Sequence, residues 1–318
     1  MPRNYGYIDP LLSNLAVDYS QKVREGLVGP IIFPRVPVPK PSGKYAVFDE
    51  EAAFKVPDTT MAGERSQANE FAASGKKESY ATTPHGLKRF IDKADLEFMD
   101  GPFNVWEKRH VETLVSKLEL SQEKRIADKI FNLSGRSTTL SGTGNAKTNK
   151  ISNGNGNPFE AIQDAILKLF FRPNLMVFNE AIFDALEYHP KLLEKLGEAN
   201  MIKKVDETTL AKLFRIDRVI ISKGRADFGK RNAEGSVNPK NIWGDSITLA
   251  HVDDQWDQPC AGKTLCLAYA EADSQGYVVR TWDEEDGGVL GGEHMQVAHD
   301  TDECVVCKDL IYTIKEVL

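Results

Sequence analysis

Residues 33–51 read FPRVPVPKPSGKYAVFDEE, and residues 78–84 read ESYATTP. Each proline in the first stretch fixes its own φ and disfavours helix at the residue before it, so the chain here is extended. The second stretch alternates in the manner of a strand that returns. Between them lies a polar segment rich in Gly, Ala and Ser. Residues 33–84 thus read as a long two-stranded excursion with little core of its own. An isolated hairpin is marginal in water, so this one is expected to be held by whatever it lies against.

Working outward, residues 1–32 carry short apolar clusters, Leu11, Leu12, Leu15 and Val17 among them, broken by Gly26, Gly29 and Pro30. They predict an arm with one short helix. On the other side, Val111, Leu114, Val115, Leu118, Ile126, Ile130 and Phe131 follow the three-and-four spacing of one helix face over residues 103–133. Asp100 is placed to cap that helix and Gly135 to end it. At 1.5 Å per residue the helix would span about 45 Å, which makes it a strut longer than a small domain is wide. A polar, glycine-rich segment follows to Asn157 and predicts a loop or linker, with a domain boundary inside it.

Beyond the boundary helices and strands alternate. PFEAIQDAILKLF is amphipathic, NLMVF is a short apolar strand, and NEAIFDALEYHPKLLEKL is helical with a break at Pro190. RIDRVIISKG, SITLAHV and TLCLAYA are strand candidates, and the last forty residues read as strands with turns at Gly287, Gly288, Gly291 and Gly292. The predicted class is α+β. Its parts are an arm at 1–32, an extended loop at 33–84, a first domain with the strut at 85–150, a second domain at 151–275, and strands at 276–318 that return to the strut.

Composition narrows the function classes. The chain has 318 residues, 41% of them hydrophobic, enough for a sizeable core. A net charge of −7 gives no global excess of positive charge to neutralise phosphates. No window reaches the roughly 18 apolar residues of a membrane span, and the N-terminus lacks the pattern of a secretion signal, so a cytoplasmic site of synthesis is expected. The four cysteines, Cys260, Cys266, Cys304 and Cys307, are too few and too localised for a disulfide scaffold, and reduced thiols are expected.

Each candidate for chemistry has a plainer reading beside it. The acidic run Asp283 to Asp286 could pair carboxylates for acid–base work or hold a hard metal ion, but it abuts Gly287 and Gly288 and reads as a solvated turn. Cys304 and Cys307 have zinc spacing, with Cys260 and Cys266 as a second pair. Against this, ECVVCKDLIY reads as a strand, where residues three apart face opposite ways, and the second pair is not spaced by two. GTGNAKT at 142–148 resembles a phosphate loop only faintly, since Ala146 stands where glycine is needed and no apolar strand precedes it. His251 beside Asp253, Asp254 and Asp257 has no nucleophile in a recognisable setting nearby and reads as a strand end. No catalytic, cofactor-binding or metal-ligating residue is therefore expected.

Several strings in one order resemble the major capsid proteins of tailed bacteriophages. IDPLLSNLAVDYSQ at 8–21 and then GPIIFPRVPVPKPSGKYAVFDEE at 29–51 look like that family's N-terminal arm passing into its extended loop. ESYATTPHGLKRFIDKAD at 78–95 is similar to the returning strand that leads to the spine helix. RPNLMVFNEAIFDALEYHP, LAKLFRIDRVIISKG and WGDSITLAHV are similar to successive elements of the axial domain. The resemblance covers nearly the whole chain, with Ser134–Asn157 its least secure part.

What the resemblance implies is geometric. It predicts a virion shell subunit without enzymatic activity, self-assembling into pentamers and hexamers of an icosahedral shell around phage DNA, with the extended loop lying over a neighbouring subunit. The expected partners are further copies, a scaffolding protein, a portal and a decoration protein, with DNA contacted non-specifically and no cofactor or membrane. Because the chain starts directly with the arm, a separate scaffolding protein or a trimmed N-terminus is implied. Some relatives link neighbouring loops through lysine and asparagine; Lys40, Lys44, Lys55, Lys76 and Lys77 lie in the excursion, with no matching asparagine or carboxylate identified. Three alternatives are a bacterial nanocompartment shell protein, which shares the fold, a zinc-dependent hydrolase, which would need the cysteines or acids to converge, and a tail or decoration protein, which would form no closed shell by itself or with a scaffold.

Overall fold

Asp9 and Pro10 open the first helix, α1 (Pro10–Arg24). The Asp9 carboxylate accepts from the Leu11 and Leu12 amides at 2.8 and 3.0 Å, and proline in the first turn leaves no amide unpaired. The arm expected at 1–32 is therefore mostly an ordered helix, and its Leu12 and Ala16 are buried. A single turn, α2 (Gly29–Ile32), follows and buries Ile32 beside Phe33. This computed structural model describes residues 7–47, 56, 59, 76–93, 103–141, 149–152, 156–196, 204–229, 237–253, 260–268, 276–284 and 291–318.

The two described ends of the excursion are extended and pair with each other. β2 (Arg35–Val38) precedes a hairpin of β3 (Ser42–Ala46) and β4 (Lys77–Ala81), paired antiparallel from Ser42 with Ala81 to Ala46 with Lys77. β5 (Thr83–Asp92) continues from it. The strut is α3 (Phe103–Phe131), 29 residues long. It ends at Phe131 and not at Gly135, which takes a φ of 73° in the following turn, and Asp100 lies outside the described residues. After α3 come β6 (Ser137–Thr139), α4 (Pro158–Leu167), β7 (Leu175–Asn179), α5 (Glu180–Glu187), α6 (Pro190–Leu196), α7 (Glu207–Phe214) and β8 (Arg218–Ser222). Pro190 breaks α5 from α6 as predicted, standing where a helix tolerates it, in the first turn. A short pair, β9 (Arg225–Ala226) and β10 (Lys240–Asn241), leads to β11 (Ser246–Ala250), β12 (Gly262–Leu267), β13 (Val278–Glu284), β14 (Gly292–Val305) and β15 (Ile311–Lys315).

These strands make two principal sheets. The first runs β1 (Tyr7–Ile8), β13, β14, β12, β2, with β5 along β14 as well; the second runs β6, β15, β11, β7, β8. Two strands cross the division expected at residue 275. β12 lies in the first sheet, antiparallel to β14, and β15 lies in the second, antiparallel to β11. Both strands are buried along nearly their whole length, so their composition carries no mark of which sheet receives them. Another difference is local. The stretch read as one strand through Cys304 and Cys307 stops at Val305, and a 3₁₀ turn at Lys308–Leu310 separates it from β15.

α3 spans both sheets. Val111, Leu114, Val115 and Leu118 pack with Leu12 and Ala16 of α1 and with Tyr277, Val279, Met295 and Val297 of the first sheet. Ile126, Ala127 and Ile130 pack with Val28, Ile32 and Phe33, and with Leu175, Val177, Ala250 and Ile311 of the second. The strut's apolar face thus meets the C-terminal strands as its register predicts, and the arm helix besides.

Candidate functional site

Between its two apolar stretches α3 places Glu119, Gln122 and Glu123 on the same buried side. A carboxylate taken out of water must be met by donors, and here several elements around the helix supply them. Glu119 Oε1 accepts from Arg24 Nε at 3.0 Å, Arg35 Nη2 at 2.9 Å and the Tyr277 hydroxyl at 2.7 Å. Gln122 accepts from Arg35 as well. Glu123 accepts from the Val28 and Gly29 amides at 3.0 and 2.6 Å and from Trp243 Nε1 at 2.6 Å. Burial pushes the Glu123 carboxyl up from its ordinary value, and the three donors oppose that. One turn on, Arg125 donates to Glu303 at 2.9 Å and to Thr301 at 3.2 Å. Gly29 is required here, since a Cβ on it would stand 2.5 Å from Glu123 Oε2. The cluster joins the arm, the strut, the first sheet and the turn before β11, with Glu119 Oε1 and both oxygens of Glu123 turned to this chain's own donors.

The residues singled out for chemistry do not gather. All four cysteines are buried free thiols. Burial raises each of them, Cys260 to about 11 and Cys304 to about 12, so they remain thiols at neutral pH. Among the described residues no three of His, Cys, Asp or Glu form a group able to hold a metal ion. Asp283 and Glu284 belong to β13, where Lys93 lies 3.6 Å from Asp283 and Glu284 pairs with His294; the rest of that acidic run is outside the described residues. Of the four glycines read as turns, Gly287 and Gly288 lie outside the described residues, Gly291 has a φ of 75°, and Gly292 already starts β14, where a Cβ would overlap Phe90. His251 meets the Arg172 carbonyl oxygen through Nδ1 at 2.9 Å. Asp254, Asp257, Lys55 and the segment 142–148 fall outside the described residues. Lys40, Lys44, Lys76 and Lys77 are exposed on or beside the hairpin.

The hairpin is rooted on its own subunit. Tyr45 and Tyr80 are buried with Val38, Leu265, Cys304 and Val306, and the Tyr45 hydroxyl donates to Glu78 at 2.9 Å. Along β14 successive side chains alternate between faces. Met295 and Val297 point to α3, so His294, Gln296 and Ala298 take the face on which the hairpin sits farther along, at Cys304. Across three strands this face carries Trp282, His294 and Phe90 in register, with ring centroids 5.1 and 5.0 Å apart. The next rung is Arg280, Gln296 and Lys88, the two cations being exposed. Neither the polar cluster nor this face was named by sequence reasoning. A signal existed for the first, in the acids at 119 and 123 that interrupt an otherwise apolar stripe.

No protein-family model matches the chain. It is 28% identical over 315 residues to the major capsid protein of Pseudomonas phage JBD67, covering 95% of this chain and 94% of that protein. Its fold matches the crystal structure of a phage-related protein from Bordetella bronchiseptica RB50 with a TM-score of 0.71 at 20% identity, over 99% of this chain and 98% of that one. The capsid structure of cyanophage P-SCSP1u matches with a TM-score of 0.58 at 10% identity, over 91% and 88%. The arm, hairpin excursion, long strut and two sheets have the fold of tailed-phage capsid structures. Over nearly its whole length the chain is similar in sequence to a tailed-phage major capsid protein.

Proposed function

We propose that copies of the chain assemble into pentamers and hexamers, and that these close into an icosahedral shell around phage DNA. The observation that carries this reading is the near-full-length identity to a phage major capsid protein, which also favours a phage shell over a nanocompartment built on the same fold. The subunit adds two physical supports. A hairpin anchored at its base by Tyr45 and Tyr80 leads into residues 48–75, which hold Asp49, Glu50, Glu51, Asp58, Glu64 and Glu70 against only Lys55 and Arg65. The β5–β14–β13 face offers Phe90 and Trp282, flanked by Lys88 and Arg280 on one rung and by Asp92 and Glu284 on the other, with room for apolar contact from Phe48, Phe54 or Phe71 of another copy and two cations for its acids.

On this reading the first sheet with the strut is the peripheral domain, and the second sheet with its helices is the axial domain. Assembly takes place in the host cytoplasm with a scaffolding protein and a portal, and a decoration protein joins the outside. No catalytic step, cofactor or metal enters the role. Electron microscopy of the expressed chain, alone and with its scaffolding protein, tests the proposal. Closed shells or capsomers are expected, and a strictly monomeric protein under every assembly condition would refute it.

A further inference from the structure

His299 is buried in β14 on the face turned to the strut, and neither of its ring nitrogens has a hydrogen-bond partner among the described residues. A buried imidazole usually spends at least one nitrogen on a partner. This one is held by rings. The Tyr277 ring lies 4.8 Å away, and His85, its direct partner across β5, stands edge-on at 5.9 Å.

The charged and titratable groups around it come from every element that meets there. They are Arg24 of α1, Arg35 of β2, Glu119 and Arg125 of α3, His85 of β5, Cys266 of β12, Tyr277 before β13, and Glu303 of its own strand, with Asp300 of that strand acting on His85. The two carboxylates already hold the arginines, Glu119 receiving Arg24 and Arg35 while Glu303 receives Arg125. A proton on His299 would place one more positive charge beside three guanidinium groups, in a site closed to water.

We propose that His299, with His85 behind it, makes this joint an acid-sensitive latch: proton uptake by the two imidazoles releases the segment from Arg24 to Val38 from the strut and the first sheet. The latch belongs to the subunit and does not depend on how subunits assemble. Both imidazoles are held below the ordinary value, first by burial, then by Arg35 for His299 and by Arg125 for His85. In the released state they return to about 6.5. Above that pH both states are neutral and the latch has its full strength. Below it the released state binds protons that the closed state refuses, so closure weakens about tenfold per pH unit for each imidazole that stays neutral.

Hydrogen exchange of the full chain, corrected for intrinsic rates, reads the latch directly. Between pH 7.5 and 5.0, amides of residues 24–38 should lose about tenfold or more of their protection, while β7 and β11 change little. His299→Phe keeps a ring against Tyr277 and carries no proton, so most of that loss should vanish. Equal protection of residues 24–38 at both pH values in the unaltered chain, or an equal loss in His299→Phe, would overturn the proposal. Should His299→Phe fail to fold, exchange at the histidine ring carbon decides on the unaltered chain. His299 is expected to titrate only together with exposure of residues 24–38, and titration near 6.5 in a protected joint refutes the latch.

Discussion

Replacing Glu119 by leucine tests whether the polar cluster holds the subunit together or is merely tolerated. The Glu119 side chain is fully buried, and its ion partners are nearly so, with Arg35 11% and Arg24 18% exposed. In Glu119→Leu the Arg24 guanidinium keeps Ser20 Oγ at 2.7 Å and a route to water. Arg35 loses its carboxylate partner and keeps Gln122, and the Tyr277 hydroxyl loses its bond to Glu119. Stranding one partner of a buried ion pair costs about 3–5 kcal/mol. For a chain of this size roughly 2 °C of Tm accompanies each kcal/mol, so thermal unfolding at pH 7.5 should move down by about 6–10 °C. The companion experiment removes the stranded groups too. Glu119→Leu with Arg35→Met and Tyr277→Phe should recover to within about 2 kcal/mol of the unaltered chain, because a whole buried network replaced by apolar groups is often close to neutral. A single variant that unfolds within about 1 kcal/mol of the original, or a triple variant worse than the single, would show that these contacts are not coupled.

Three further outcomes are expected. Leu118→Asp puts an unpaired charge against Leu12, Val279 and Met295 and should leave the protein insoluble, so a soluble variant with intact near-ultraviolet dichroism would contradict the packing of α3. The thiols of Cys260 and Cys304, raised by burial to about 11 and 12, should react with iodoacetamide at pH 8 at least about tenfold more slowly in the native chain than in denaturant, and native rates equal to the denatured ones would count against their burial. Replacing residues 48–75 by a short Gly/Ser linker should leave cooperative unfolding intact and abolish shells, whereas normal shells would reduce the excursion to decoration. Cutting farther back, from Lys40 to Ser79, would also remove Tyr45 from its buried cluster and should cost about 3 kcal/mol or more of subunit stability.

What could be read from the sequence was whatever is local. The strut follows from the spacing of Val111, Leu114, Val115 and Leu118, and the hairpin from the proline run and the alternation of ESYATTP, because periodicity and fixed φ act within a few residues. The arm helix could have been read more fully, since Asp9, Pro10 and the spacing of Leu12 and Ala16 are a capped amphipathic start. The sheet membership of β12 and β15 could not. Both are short buried strands, and what places them is pairing with β14 and β11, some forty and sixty residues away in the chain. The polar cluster is non-local in the same sense, for nothing near Glu119 in sequence announces Arg24, Arg35 or Tyr277.

The exchange of strands has a mechanical consequence. Because β11 and β15 lie in the second sheet while β12, β13 and β14 lie in the first, the chain crosses between sheets twice from Ala250 to Ile311, once before β12 and once after β14. α3 then packs one half of its length on each sheet, with the Glu119 to Arg125 cluster at the crossing. Two sheets stitched in this way cannot rotate apart without breaking β pairing, so rearrangement of the subunit falls to the parts held by fewer contacts. The hairpin, anchored by two tyrosines at its base, is the clearest of these; the Arg24 to Val38 segment adds the buried side chains of Val28, Ile32 and Phe33 to its ion pairs and its edge strand β2, so it moves only when the joint beside it opens. A shell subunit needs a rigid body to set its shape and movable extensions to meet unequal neighbours. Here the joint beside His299 is where the rigid and the movable parts meet.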